Sequence, residues 1–190
     1  MTGRGLTPPQ TVGPFFHGGM LQRSLNVMVA PETKGDRVRI EGHVYDGDHA
    51  PVSDAVVEFW QANAAGRYRH PADQRSVPLD QSFAGFGRTG TDEAGAFWFE
   101  TIRPGPVPFP GGGTQAPHIN VAVFARGLLH HLPTRLYFED DPAVRDDPLL
   151  RTVPEARRAT LLAKRIAGSK PVYRFDIVLQ GDGETVFLLI

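Results

Sequence analysis

The chain has 190 residues, 41% hydrophobic and 22% charged, which excludes wholesale disorder and suits one good core. Its 20 basic and 21 acidic side chains leave a net charge of -1, so no global field draws it to nucleic acid or an anionic membrane. It has no cysteine, which excludes disulfides, thiolate metal sites, iron–sulfur clusters and thiol nucleophiles.

Glycine (21) and proline (17) together make one residue in five. Both break helices, so an all-β, turn-rich fold is expected. No window reaches the apolar length of a signal peptide or a membrane span, and a soluble cytoplasmic protein is the expectation.

Residues 1–20 read as an N-terminal arm. Pro8, Pro9, Gly13, Pro14, Gly18 and Gly19 forbid a long helix, and the adjacent Phe15 and Phe16 imply that the arm lies on a surface. Residues 21–190 read as the domain. From Arg37, the apolar or small Val38, Ile40, Gly42 and Val44 alternate with Arg39, Glu41, His43 and Tyr45, the period of a half-buried strand. A second strand is predicted over 55–61, a turn at Asn63-Ala64-Ala65-Gly66, and a long polar loop over 69–82. Residues 89–95 read as a turn before a third strand over 96–102. Residues 103–117 carry Pro104, Pro106, Pro108, Pro110, Pro117 and Gly111-Gly112-Gly113, and read as a loop long enough to suggest function. Strands follow over 118–124 and 134–138. Residues 140–148 read as an acidic loop whose Asp140, Asp141, Asp146 and Asp147 are solvated. A short helix opens at Pro154, and 173–179 pairs with 185–190 as a closing hairpin across Gly181-Asp182-Gly183. Seven or more short strands and one short helix argue for a β-sandwich.

Few residues offer chemistry on their own. No Gly-x-Ser-x-Gly elbow is present, and no glycine-rich phosphate loop sits between a strand and a helix. Of seven histidines, His130 and His131 are adjacent, and on a strand they would face opposite ways. His118 differs, because it opens a strong strand directly after the long loop.

Four separated motifs then stand in order. They are Trp60-Gln61-Ala62-Asn63-Ala64-Ala65-Gly66-Arg67-Tyr68, Arg103-Pro104-Gly105-Pro106, Ala116-Pro117-His118-Ile119 and Tyr137-Phe138-Glu139-Asp140-Asp141-Pro142. They closely resemble the intradiol ring-cleavage dioxygenases, over roughly residues 7–188. Thr7-Pro8-Pro9-Gln10-Thr11-Val12-Gly13-Pro14-Phe15-Phe16-His17, Tyr173-Arg174-Phe175-Asp176-Ile177 and Gly181-Asp182-Gly183-Glu184-Thr185-Val186-Phe187 are similar to the α subunits of two-subunit members.

The resemblance implies an intradiol-type β-sandwich and non-haem Fe(III) held by two tyrosines and two histidines, in Gly-x-Tyr, Pro-Gly-x-Tyr-Pro and His-x-His. Phenolates are hard anions suited to ferric iron, and His-x-His on a strand puts both imidazoles on one face. At those four positions this chain has Tyr68, Val107, His118 and Asn120. Valine has no donor and an asparagine amide is a poor one for Fe(III), so the resemblance implies a vestigial site with no metal on this chain and no catalytic residue of its own. The iron is then expected on a β subunit. The pair is expected to use O2 to cleave 3,4-dihydroxybenzoate between its hydroxyl-bearing carbons, giving 3-carboxy-cis,cis-muconate. Thr11, Gly13, Pro14 and Arg126 are the positions that the resemblance assigns to the shared substrate pocket. A guanidinium at Arg126 suits an aromatic carboxylate, Thr11 can donate or accept a hydrogen bond, and Gly13 would let backbone approach closely. Two other readings remain open. One is a free-standing intradiol catechol dioxygenase, which Val107 and Asn120 oppose. The other is a non-catalytic β-sandwich binding module, which needs neither an arm nor Tyr68 and His118.

Overall fold

The alternation from Arg37 becomes β1 (Arg37–Tyr45), with Val38, Ile40, Gly42 and Val44 all buried as the period required. The computed structural model describes Thr11, Gly13 and residues 16–189. Pro14 and Phe15, two of the arm residues singled out above, lie outside the described residues. After β1 come β2 (Val56–Trp60), β3 (Phe86–Gly90), β4 (Ala96–Ile102), β5 (Val107–Pro108), β6 (Thr114–Gln115), β7 (His118–Phe124) and β8 (Leu132–Phe138). β9 (Leu162–Ile166), β10 (Val172–Arg174) and β11 (Ile177–Val178) follow. The helical segments are short: α1 (Phe16–Met20) and α2 (Glu155–Arg158), with three single-turn 3-10 stretches.

The strands form one continuous path. β4 pairs with β1, whose other edge takes β10 and then β11, both in parallel register. From β10 the order runs through β9, β8, β7 and β2 to β3. The path folds over on itself as a sandwich. Its inner faces bury Ile40, Val57, Phe59, Phe97, Phe99, Ile119, Val121, Val123, Leu136, Phe138, Tyr173 and Phe175. At the centre, the Phe59 and Phe99 rings stack at 3.9 Å. The extended stretch 25–28 bridges the two ends of the path. Leu25 exchanges backbone bonds with Arg88 of β3, while Asn26 and Met28 bond Glu100 of β4. Neither end is left as a bare edge.

Four expectations need correction. The segment read as a turn at 89–95 begins inside β3, whose sequence Phe-Gly-Arg-Thr-Gly lacks any β-branched apolar run and is held by full pairing to β2. The 103–117 loop contains the small β5–β6 hairpin. The closing hairpin is not formed among the described residues. β10 and β11 join β1 instead, and the later segment returns through the Thr185–Val178 bonds, Val186 bonds to the Thr134 and Thr160 hydroxyls and a Leu188 bond to Pro133. Helix is split between two short segments rather than one. No helix among the described residues is long and apolar enough to cross a membrane.

Candidate functional site

Sheet registry builds the site. In β2, β7 and β8, the residues that alternate with the core-facing ones place Trp60, Asn120 and Arg135 directly opposite one another in one row. His118 lies two residues from Asn120 on the same face, paired across to Tyr137. Above this row two loops meet. Asn63 shapes the first: its Oδ1 accepts from the Ala65 and Arg67 amides, and its Nδ2 donates to Pro78 O. Gln61, fully buried, ties the start of that loop to β4 through Ile102 O and the Thr101 hydroxyl. The second loop runs from Arg103 to Val107 and bonds back through Gly105 N to Asn63 O. Arg103 is anchored by Asp140, Asp141 and the Tyr173 hydroxyl, and stacks over Phe138. Asp140 and Asp141, read from sequence as solvated, therefore serve as a latch, and this pairing holds the Asp140 carboxyl below its ordinary range against its partial burial.

The four positions Tyr68, Val107, His118 and Asn120 come together around a cation. Tyr68 and Val107 line a cavity of about 700 Å³, with Trp60, His70, Phe109 and Arg135. The Asn120 side chain bridges its neighbours. Its Nδ2 donates to the Tyr68 hydroxyl at 3.2 Å, and its Oδ1 accepts from Arg135 Nε at 2.9 Å. Arg135 Nη1 also donates to Gln115 Oε1. Burial raises the Tyr68 pKa, so the phenol stays neutral at pH 7.

His118 is 3% exposed, and its Nδ1 lies 2.8 Å from Ala116 O. A carbonyl can only accept, so Nδ1 carries the proton and Nε2 is a buried lone pair without a partner among the described residues. Burial first, and then the Arg135 charge, pull its pKa from 6.5 to about 4. The neutral ring is thus the folded form. Its stabilising contribution is complete above pH 6.5 and is lost as the pH falls to about 4. Chemical denaturation at pH 7.5 and 4.5 should show a loss of roughly 2–3 kcal/mol from this residue. His118→Gln should flatten the pH dependence in that window, and an unchanged slope would mean that other groups carry it.

These residues do not fit ferric iron. Of the four positions, one neutral phenol and one imidazole are suitable donors, Val107 has none, and the Asn120 amide is committed to Arg135 and Tyr68. A guanidinium inside the constellation would also repel a trivalent cation.

The other expected residues gather at the far end of β7, roughly 20 Å away by strand rise. Thr11 accepts from the Gly127 amide at 3.1 Å. The neighbouring Arg126 pairs through Nε with Asp54, and its side chain is 65% exposed. At Gly13 an added Cβ would meet nothing within 4 Å, so the close approach expected there has no counterpart among the described residues. Pro14 lies outside the described residues. The structure therefore brings Thr11 and Arg126 together, away from Tyr68, Val107, His118 and Asn120.

A family model described as Dioxygenase matches residues 11–181. The chain belongs to the intradiol ring-cleavage dioxygenases. It is 44% identical to a protocatechuate 3,4-dioxygenase alpha chain of Burkholderia cepacia, over 98% of both chains. It is 37% identical to the beta chain of the same organism's enzyme, over 93% of this chain and 76% of that one. Among solved structures, the dioxygenase domain of a carbohydrate-binding fusion from Streptomyces sp. SirexAA-E has a TM-score of 0.62 and 30% identity, covering 92% of this chain and 98% of that one.

Three residues of this intradiol dioxygenase chain escaped the sequence reading. Arg135 and Gln115 complete the constellation, and Asp147 supports it from behind. Asp147 is fully buried rather than solvated, because its carboxylate accepts from the amides of Ala116, Leu149 and Leu150 and from the Tyr137 hydroxyl. The available signal for Arg135 was alternation on β8, which puts it on the same face as Tyr137 and opposite Asn120 once β7 and β8 are paired.

Proposed function

We propose that this chain is the α subunit of a protocatechuate 3,4-dioxygenase, completing the substrate pocket of an iron-bearing β subunit. The observation that carries the reading is Arg135 within the ligand constellation of a chain similar along its whole length to an alpha chain. Such a chain has exchanged its metal chemistry for a fixed cation, and its contribution to the reaction lies elsewhere on its surface. The similarity to both an alpha and a beta chain supports a hetero-oligomer descended from one fold. The proposed reaction is O2-dependent intradiol cleavage of 3,4-dihydroxybenzoate to 3-carboxy-cis,cis-muconate, in the cytoplasm. The β subunit's Fe(III) supplies the redox chemistry.

This chain's residues bind and orient. In this reading Thr11, Gly13 and Pro14 of the arm serve the pocket. Arg126 faces the substrate carboxylate. Its exposed guanidinium, held through Nε by Asp54 on a short connection after β7, is placed to offer its remaining N–H groups to an anion.

Co-expression with a β partner and steady-state kinetics test this. Arg126→Ala should lower kcat/KM for protocatechuate about 10- to 150-fold, the worth of a lost charge-assisted hydrogen bond. Catechol lacks the carboxylate and should be far less affected. An equal loss on both substrates, or no complex with the partner on sizing, would overturn the reading.

A further inference from the structure

The cavity beside Arg135 has the features of a ligand site of its own. Its walls are aromatic and apolar: Trp60 and Tyr68 stack at 5.8 Å, with Phe109, Pro108 and Val107 lining the same space. Its volume of about 700 Å³ lies within the range of small-molecule pockets. The family's larger tyrosine is replaced by Val107 on one wall, which leaves room for a ring.

The charge balance of the cavity is positive. Asp73 and Arg75 both line it and neutralise each other through bonds at 2.8 and 2.6 Å, which hold the Asp73 carboxyl well below the usual range. Arg135, half-buried, makes no ion pair with any carboxylate among the described residues. Its bonds go to the neutral Asn120, Gln115 and Tyr137, and its Nη2 donates to no described group. A partly desolvated cation without a counter-ion favours an anion brought from outside. The Tyr68 hydroxyl accepts from Asn120, and its own proton is likewise given to no described group. The Asn120 amide joins Arg135 and Tyr68 in one network, and both residues line the same aromatic cavity. A guanidinium and a phenol with donors to spare suit the two oxygens of a carboxylate.

We propose that this cavity binds a one-ring aromatic carboxylate, with the ring between Trp60 and Phe109 and the carboxylate on Arg135 Nη2 and the Tyr68 hydroxyl. The site is non-catalytic and separate from the Arg126 end of the chain. It does not rest on the partner reading, because every residue it uses lies on this chain.

Calorimetric titration of the purified full chain, alone or with whatever partner co-purifies, with benzoate as the probe, tests this. Saturable binding with a Kd of about 0.1–1 mM is expected for a ligand of this size. Arg135→Met should weaken it about tenfold or more, and benzamide, which keeps the ring and loses the charge, should bind about tenfold more weakly. Val107→Phe leaves both donors in place and fills the slot, and should also remove the binding. The difference between wild type and these variants isolates this site from any benzoate held at a partner's metal, so a failure of the α-subunit reading and a failure of this one are distinguishable. Near-UV circular dichroism checks that Arg135→Met folds, and if it does not, Val107→Phe decides. Equal binding of benzoate and benzamide, equal binding to wild type and Val107→Phe, or no saturation up to about 20 mM would overturn the proposal.

Discussion

Gly66→Ala should destabilise the chain by at least about 3 kcal/mol and loosen the site with it. Gly66 has a φ of +80°, in the left-handed region, and a Cβ there would stand 2.1 Å from Pro106 O. The obstacle is backbone, so no side-chain rotation relieves it. Gly105 meets the same contact from the other side, where a Cβ would lie 2.5 Å from Ala64 O and from Gly66 N. These two glycines let the Tyr68 loop and the Val107 loop touch main chain to main chain, and alanine at either would force the loops apart. Gly112 is the control. Its φ is +94° but nothing lies within 4 Å, so Gly112→Ala should cost only about 1–2 kcal/mol of backbone strain. Urea unfolding of the three variants checks the order. A Gly66→Ala loss no larger than that of Gly112→Ala would show that the loops can separate freely.

The parts of this fold legible in the sequence were those carried by local pattern. β1 alternates cleanly because one face meets the core, and β7 reads clearly because Ile119, Val121 and Val123 fill the inner face. β3 was missed because its side chains, Phe-Gly-Arg-Thr-Gly, carry no strand signal, and its conformation comes from pairing with β2. The same division holds in the site. Tyr68, Val107, His118 and Asn120 were reached through motifs, and the structure does assemble them. Arg135 was not, because its role depends on cross-strand registry with Asn120, a long-range fact absent from any window of sequence. The carboxylates show the limit most sharply. A run such as Asp146-Asp147 looks solvated in sequence, yet Asp146 is exposed and Asp147 is completely buried. The difference arises because the chain turns between them to begin a new helical turn whose free amides need an acceptor.

That acceptor supports the second large effect. Asp147→Ala is expected to cost about 3–5 kcal/mol, the range for breaking a buried, fully satisfied charged network. Its Oδ1 accepts from Leu149 N and Leu150 N at 2.9 Å and from the Tyr137 hydroxyl at 3.1 Å, and its Oδ2 accepts from Ala116 N at 2.8 Å. Alanine would strand three backbone donors in the smaller core of Ala116, Tyr137, Leu150, Val153 and Leu161. The consequence reaches the site through one residue, since Ala116 N is held by Asp147 while Ala116 O holds the His118 ring. Asp147→Asn separates the terms. It keeps one oxygen for the Leu149 and Leu150 amides but turns an NH2 toward the Ala116 amide, two donors facing each other. About half the alanine cost should return, with the loss confined to the His118 side. Urea denaturation gives the magnitudes, and the His118 imidazole resonances report the local change. If Asp147→Ala stays within about 1 kcal/mol of wild type, the carboxylate is not what holds the entry of β7, and the neighbouring 3-10 turn must find its acceptors elsewhere.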